Sequence, residues 1–274
     1  MEISTDMLQR LYGEVLEEIN GPLSATLHVP ESDLLALGQT CGEDEERLRR
    51  CIKRRISGDP VAYILGYVEF RGQRFKVDRR TYITDPETSY LVDVVIEKAQ
   101  EFYANTQRPP VILEVGLGCG SLSISVKKVL QEKARVAAVD IDAGALEVAK
   151  ENMRNHGTDI EWYESDLFRS LPESFVPDIL FGDPPWGNEK TMYDEDRPLE
   201  HYLTMPYLAV FPIGNCTAVH ERIIRQVQER GWEASLLLNT GVLEDEHLGR
   251  LGRMTRGYTI LRPTPTLSIL YCKA

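Results

Sequence analysis

Several features that would assign a function at once are missing from this 274-residue sequence. No apolar run approaches the roughly 18 residues that cross a bilayer. The start, MEISTDMLQR, lacks the basic and apolar sections of a secretory signal. The five cysteines, Cys41, Cys51, Cys119, Cys216 and Cys272, are far apart, with no C-x-x-C and an odd total. That pattern argues against a disulfide framework and a structural zinc, and predicts reduced thiols in the cytoplasm. His28, His156, His201, His220 and His247 show no metal-ligand spacing, so no metal is expected. Positive charge is in deficit, with 31 Lys and Arg against 43 Asp and Glu and a net charge of −12. Such a balance does not draw in a polyanion, which argues against general nucleic-acid binding. There is no internal repeat and no low-complexity segment.

What is present is an ordinary share of apolar residues, 42%, enough for a sizeable core. Leu8, Leu11, Tyr12, Val15, Leu16 and Ile19 recur at three and four, which predicts an amphipathic helix over 5–19. A second helix is expected over 31–38. A third follows the acidic GEDEE, where RLRRCIKRR closes with positive charge in the order a helix dipole favours. Residues 1–58 therefore read as a small helical domain. YVEF and QRFKV around Arg71-Gly72 read as a β-hairpin within a 59–85 linker. From 86 to 274 apolar strands alternate with helices: VILEV, RVAAVD, IEWYESD, DILFGD and EASLLLNTG, then a terminal hairpin. The fold class is α/β, with a doubly wound, mostly parallel sheet.

In such a sheet ligands gather beyond the carboxyl ends of the strands. The first strand ends in Glu114-Val-Gly116-Leu-Gly118-Cys-Gly120, where glycines permit a tight turn and close approach of a ligand. The second ends at Asp140, 20 residues beyond Gly120, where a carboxylate can accept ribose hydroxyl protons. The glycine spacing is not G-x-G-x-x-G, and Glu114 adds an acid suited to an ammonium group. Cys119 reads as a small packing residue. The fourth long strand stops at Asp183-Pro184-Pro185-Trp186. Two prolines donate no hydrogen bonds and leave their carbonyls free. Beside them stand a carboxylate and an indole, a grip for something planar that carries N–H groups.

The E-x-G-x-G-x-G turn, the acid ending the next strand and Ser165-Asp166-Leu167 after the third resemble class I S-adenosylmethionine (SAM) methyltransferases, with their Rossmann-like sheet. DPPW is similar to the Asn/Asp-Pro-Pro-aromatic motif of the N-methylating branch. GDPVAYILGYVEFRGQRFKVDRRTYITDPETSYLV, at 58–92, resembles the signature of release-factor glutamine methyltransferases. The resemblance runs from about residue 5 to 270. It implies SAM as cofactor, bound by Glu114, Gly116, Gly118, Gly120, Asp140, Asp166 and Leu167, with Asp183 to Trp186 holding the acceptor. The departures fall on the acceptor side. Asp85 stands for an arginine, Ser89 for a glutamate, DPPW for Asn-Pro-Pro-Tyr, and MPYLAVFPIGN for a glycine-rich stretch.

Three functions stay open on these residues. One is a SAM-dependent N-methyltransferase acting on an amide or amine nitrogen, a protein glutamine side chain among the candidates. Another keeps the cofactor for a small amine or amino acid, including attack by SAM's own amine to close a small ring. The last is a SAM-binding module without catalysis. Ionised Asp183 only accepts hydrogen bonds, so it suits two N–H donors or an ammonium. Trp186 suits a flat or cationic partner. YDEDRPLEH, at 193–201, is expected to be a solvated loop or a lid over the acceptor.

Overall fold

The structure, a computed structural model, describes residues 4–20, 29–42, 44–187 and 199–273. Three helices open the chain: α1 (Thr5–Asn20), α2 (Glu31–Cys41) and α3 (Glu45–Ile56). Asp44 caps α3 by accepting from Arg47 N at 2.9 Å, with acids in the first turn and Lys53, Arg54 and Arg55 in the last. The basic stripe of α3 is answered within the chain. Arg49 pairs with Glu14 and Glu18, Lys53 with Glu18 and Arg55 with Asp33. Leu11, Val15, Leu37, Leu48 and Ile52 close a core of their own beneath these pairs.

The short helix α4 (Val61–Leu65), which the sequence reading did not separate, joins that core to the larger one. Val61, Ile64 and Leu65 pack on the N-terminal helices, while Ala62 and Tyr63 belong to the core of the main sheet. Strands β1 (Tyr67–Phe70) and β2 (Gln73–Lys76) then form the expected hairpin. Arg71 and Gly72 both have positive φ, 51° and 70°, the twist that suits a two-residue turn. This hairpin is built into the half of the molecule that carries the main sheet. Phe70 and Phe75 are buried in the main core, and Phe75 stacks on His156 with ring centroids 4.4 Å apart. Buried Asn152 accepts from Lys76 N at 2.8 Å. Its amide donates to Lys76 O and, at 2.8 Å, to Cys119 O in the glycine turn. The hairpin thus braces the turn from behind.

The remaining elements are α5 (Ser89–Thr106), β3 (Val111–Val115), α6 (Ser121–Leu130), β4 (Arg135–Asp140), α7 (Ala143–His156), β5 (Glu161–Glu164), β6 (Ile179–Gly182), α8 (Leu199–Leu203), α9 (Tyr207–Val210), α10 (Ala218–Glu229), β7 (Ser235–Gly241), α11 (Asp245–Arg253), β8 (Tyr258–Thr264) and β9 (Leu267–Lys273). Seven strands form one sheet in the order β5-β4-β3-β6-β7-β9-β8. The first five run parallel, and β9 lies antiparallel to both β7 and β8. Strand alternation divides the core between the two faces. Ile112, Ala138, Ile179, Phe181 and Leu237 face one layer; Leu113, Ala137, Leu180, Leu236 and Leu238 face the other. Helix α11 escaped the sequence reading because Leu248 and Leu251 are its only buried large apolar residues. Among the described residues no helix is long and apolar enough to cross a membrane.

Phe75 is fully buried, so Phe75→Ala should cost about 3–5 kcal/mol, the range for truncating a core aromatic. Thermal unfolding should show a single transition lowered by about 10 °C. An unchanged melting temperature would mean that the hairpin is not part of the core.

Candidate functional site

Strands β3 and β6 are neighbours, yet the chain leaves β3 toward β4 and β5 and leaves β6 toward β7. This is the switch point at which an open parallel sheet forms a crevice. A cavity of about 760 Å³ lies there, and its walls include both the glycine turn and the Asp183-Pro-Pro-Trp segment.

At one end Gly116 and Gly118 have φ of 80° and 55°, a region that costs L side chains energy, and a Cβ at either would meet no atom within 4 Å. Their backbone faces open space. The turn is folded back by Gly116 N and Leu117 N, which donate to Val139 O at 2.9 and 3.1 Å. Asp140 Oδ2 accepts from Gly118 N at 2.8 Å, and Oδ1 from Asp142 N at 2.9 Å. Each oxygen keeps further lone-pair capacity for a ligand hydroxyl. Burial raises the Asp140 pKa, and the backbone N–H donors oppose that rise. Asp166 and Leu167 also line the cavity. Arg222 on α10 donates to Asp166 Oδ1 at 2.6 Å. Leu167 has a φ of 53°, a strained conformation for a non-glycine residue, of a kind that clusters at functional sites.

Two residues expected at this end stand elsewhere. Glu114 is fully buried and is not part of the cavity wall; the pleat that turns Val115 toward the cavity sends Glu114 under α6. Its Oε2 accepts from Ser123 N at 3.1 Å, and its Oε1 has no partner. Burial pushes its carboxyl up to about 8. In this position it underpins the turn from beneath α6. Gly120 is also absent from the wall. A Cβ there would lie 3.2 Å from Ile124 Cδ1 and 3.5 Å from Ala149 Cβ, so this glycine serves the packing of α6 on α7.

At the other end Asp183, Pro184, Pro185 and Trp186 all line the cavity. Asp183 is held by two donors that the sequence reading missed. Thr88 Oγ1 donates to Oδ2 at 3.2 Å, and Asn239 Nδ2 donates to Oδ1 at 2.7 Å. Loss of water and then the nearby Asp85 push the Asp183 carboxyl up to about 7, against the pull of Thr88 and Asn239. Asp85 itself accepts from Tyr82 OH at 2.9 Å. Asn239 is fixed in turn: its Oδ1 accepts from Gly241 N at 2.8 Å and its carbonyl from His220 Nε2 at 2.7 Å. Burial pushes His220 down to about 4, so its neutral ring carries the proton on Nε2. The pairing of β7 with β9 shifts register between Asn239 and Gly241, a bulge that re-aims a side chain at a strand end. One signal for Asn239 was visible: a polar Asn-Thr-Gly ending an otherwise apolar strand.

Trp186 depends on Gly241, because a Cβ built at Gly241 would overlap the indole ring. The segment 205–215 covers this end, with Met205, Val210 and Phe211 buried and Leu208 and Ile213 exposed at the cavity. Of the expected loop or lid at 193–201, residues 193–198 lie outside the described residues, and α8 begins at Leu199. Seven carboxylates and two guanidinium groups line the cavity among the described residues. Both guanidinium groups bind acids already, Arg80 with Asp78 and Arg222 with Asp166.

Strand order, glycine turn and strand-four motif together define a class I methyltransferase fold. Residues 87–195 match the family model for the methyltransferase small domain. The chain resembles the release factor glutamine methyltransferases. It is 31% identical to that of Enterococcus faecalis over 186 residues, covering 68% of this chain and 64% of the relative. It is 32% identical to that of Lactococcus lactis subsp. lactis over 174 residues, covering 64% of this chain and 60% of the relative. The matches thus span somewhat under two thirds of these relatives. Among solved structures, the hMettl16 catalytic domain in complex with a MAT2A 3′UTR hairpin has the same fold. It is 14% identical, with a TM-score of 0.56 over 99% of this chain and 92% of that one.

Gly241→Ala should overpack the indole and cost about 1–3 kcal/mol. In a Trp186→Ala background the same change should cost less, since the ring it strikes is gone and only the strain of a side chain at a φ of 50° remains. Thermal unfolding of the four proteins reads this coupling. Equal costs in both backgrounds would separate Gly241 from Trp186.

Proposed function

We propose that this chain is a SAM-dependent N-methyltransferase of the cytoplasm, acting on an amide or amine nitrogen. The protein glutamine named for its relatives is one acceptor class within that reading. The observation that carries it is a single cavity joining the glycine turn and Asp140 to Asp183-Pro-Pro-Trp. The residues fit the cofactor. Asp140 keeps acceptor capacity for ribose hydroxyls, Gly116 and Gly118 leave backbone open beside the turn, and the strained Leu167 with Asp166 flanks the place for the base. The surplus of carboxylates suits a ligand that carries positive charge.

When bound, SAM supplies a methyl group activated by its sulfonium. This chain's residues supply position and a polar, largely dry surrounding. Asp183 accepts the N–H bonds of the incoming nitrogen, and the Pro184 carbonyl accepts a second. Trp186 covers the flat side of the group, and its seat on Gly241 fixes the depth at which that group stops. Thr88 and Asn239 keep Asp183 from rotating away. The N-terminal helices, residues 1–58, are assigned the choice of acceptor, since α4 couples them to the sheet that carries the site.

Asp140→Ala should weaken SAM binding by about 1.5–3 kcal/mol, the range for hydrogen bonds to a charged group, or more than tenfold by calorimetry. Asp183→Ala should leave SAM affinity within a factor of about three while removing turnover. Normal SAM binding by a folded Asp140→Ala protein would contradict the cofactor assignment.

A further inference from the structure

We propose that the nitrogen this site alkylates arrives as an ammonium, that Asp183 takes its proton, and that Asp85 is the second carboxylate facing the cation. The inference rests on the N-methyltransferase reading and narrows its substrate class to amines.

The hydrogen-bond inventory at this end of the cavity carries it. Among the described residues, three side-chain donors here are committed to carboxylates: Thr88 and Asn239 to Asp183, and Tyr82 to Asp85. At Asp183 itself the surplus is in acceptor capacity. Each Asp183 oxygen has one protein donor and retains capacity for another. A primary ammonium brings three donors and no acceptor, which complements that surplus. A neutral amide also brings a carbonyl that needs a donor of its own. Charge points the same way. Among the described residues, both guanidinium groups of the cavity belong to its other end, Arg222 on Asp166 and Arg80 on Asp78 with its side chain beside Gly144. Trp186 adds a ring face suited to a cation.

The chemistry then balances. The ammonium R–NH3+ gives one proton to ionised Asp183, leaving R–NH2 and a neutral carboxylic acid. The freed lone pair forms the new N–C bond to the sulfonium methyl, and the C–S electron pair returns to sulfur. The products are R–NH2+–CH3 and the thioether of the demethylated cofactor. Asp183 is a competent base for this. Its carboxyl titrates near neutrality because it has lost water and faces Asp85, and general bases work best near the operating pH.

The test uses the whole protein saturated with S-adenosylhomocysteine, whose binding is measured first by calorimetry. n-Butylammonium and butyramide, probes of similar size, are then titrated and followed by ligand-observed NMR at pH 8. n-Butylammonium is expected to bind at least tenfold more tightly, and Asp85→Asn and Asp183→Asn should each reduce that preference at least fivefold. Equal or tighter binding of butyramide by the wild type would overturn the proposal while leaving the cofactor reading intact. Failure to bind S-adenosylhomocysteine would overturn the cofactor reading itself and this inference with it. The wild-type comparison decides the matter even where a variant misfolds. In turnover with SAM, methylation of primary amines, or methylthioadenosine released by attack of SAM's own amine, upholds an amine nucleophile. Methylation confined to glutamine peptides contradicts it.

Discussion

One carboxylate governs the acceptor half of this molecule. Asp183 sits where β6 ends at the sheet's switch point, half-buried at the cavity wall, with one oxygen on an amide from β7 and the other on a hydroxyl from the start of α5. A carboxylate in such a place is costly to ionise, and the two donors offset part of that cost. The bulge in β7, the neutral His220 behind Asn239 and the glycine that admits Trp186 all act to hold these donors and the ring in place.

The cofactor half rests on backbone instead. Gly116 and Gly118 turn the chain so that main-chain groups face the cavity, and Asp140 ties that turn to the next strand through Gly118 N. Glu114 and Asn152 support the turn from beneath and behind, without lining the cavity. The hairpin reaches the glycine turn through Asn152, and its Arg71 donates to Ser89 O beside Thr88, so an element remote from the cavity contributes to its shape.

This division also explains what the sequence disclosed. The glycine turn, Asp140 and the Asp-Pro-Pro-Trp stop are short motifs at fixed offsets from strands with clear apolar runs, so both their position and their neighbourhood were legible. Thr88 and Asn239 lie 95 and 56 residues from Asp183, and nothing local links them to it. Gly241 reads as a strand end until the indole of Trp186 is placed against it. Glu114 and Gly120 belong to the same motif, yet neither lines the cavity. A motif shows which residues are near a turn, whereas the strand pleat and the packing of α6 on α7 decide which of them face the ligand. Short helices such as α4 and α11 were missed because so few apolar positions carry no period.

The most direct measurement is the titration of the Asp183 carboxyl itself, followed by 13C NMR in protein labelled at aspartate side chains and assigned by Asp183→Asn. The carboxyl should ionise at about pH 7, above the ordinary aspartate value, because its surroundings exclude water and Asp85 lies nearby. Replacing Asp85 with Asn should move the midpoint down. A midpoint near 4 in the wild type, unmoved by Asp85→Asn, would contradict the half-buried, paired-carboxylate site on which the acceptor chemistry depends.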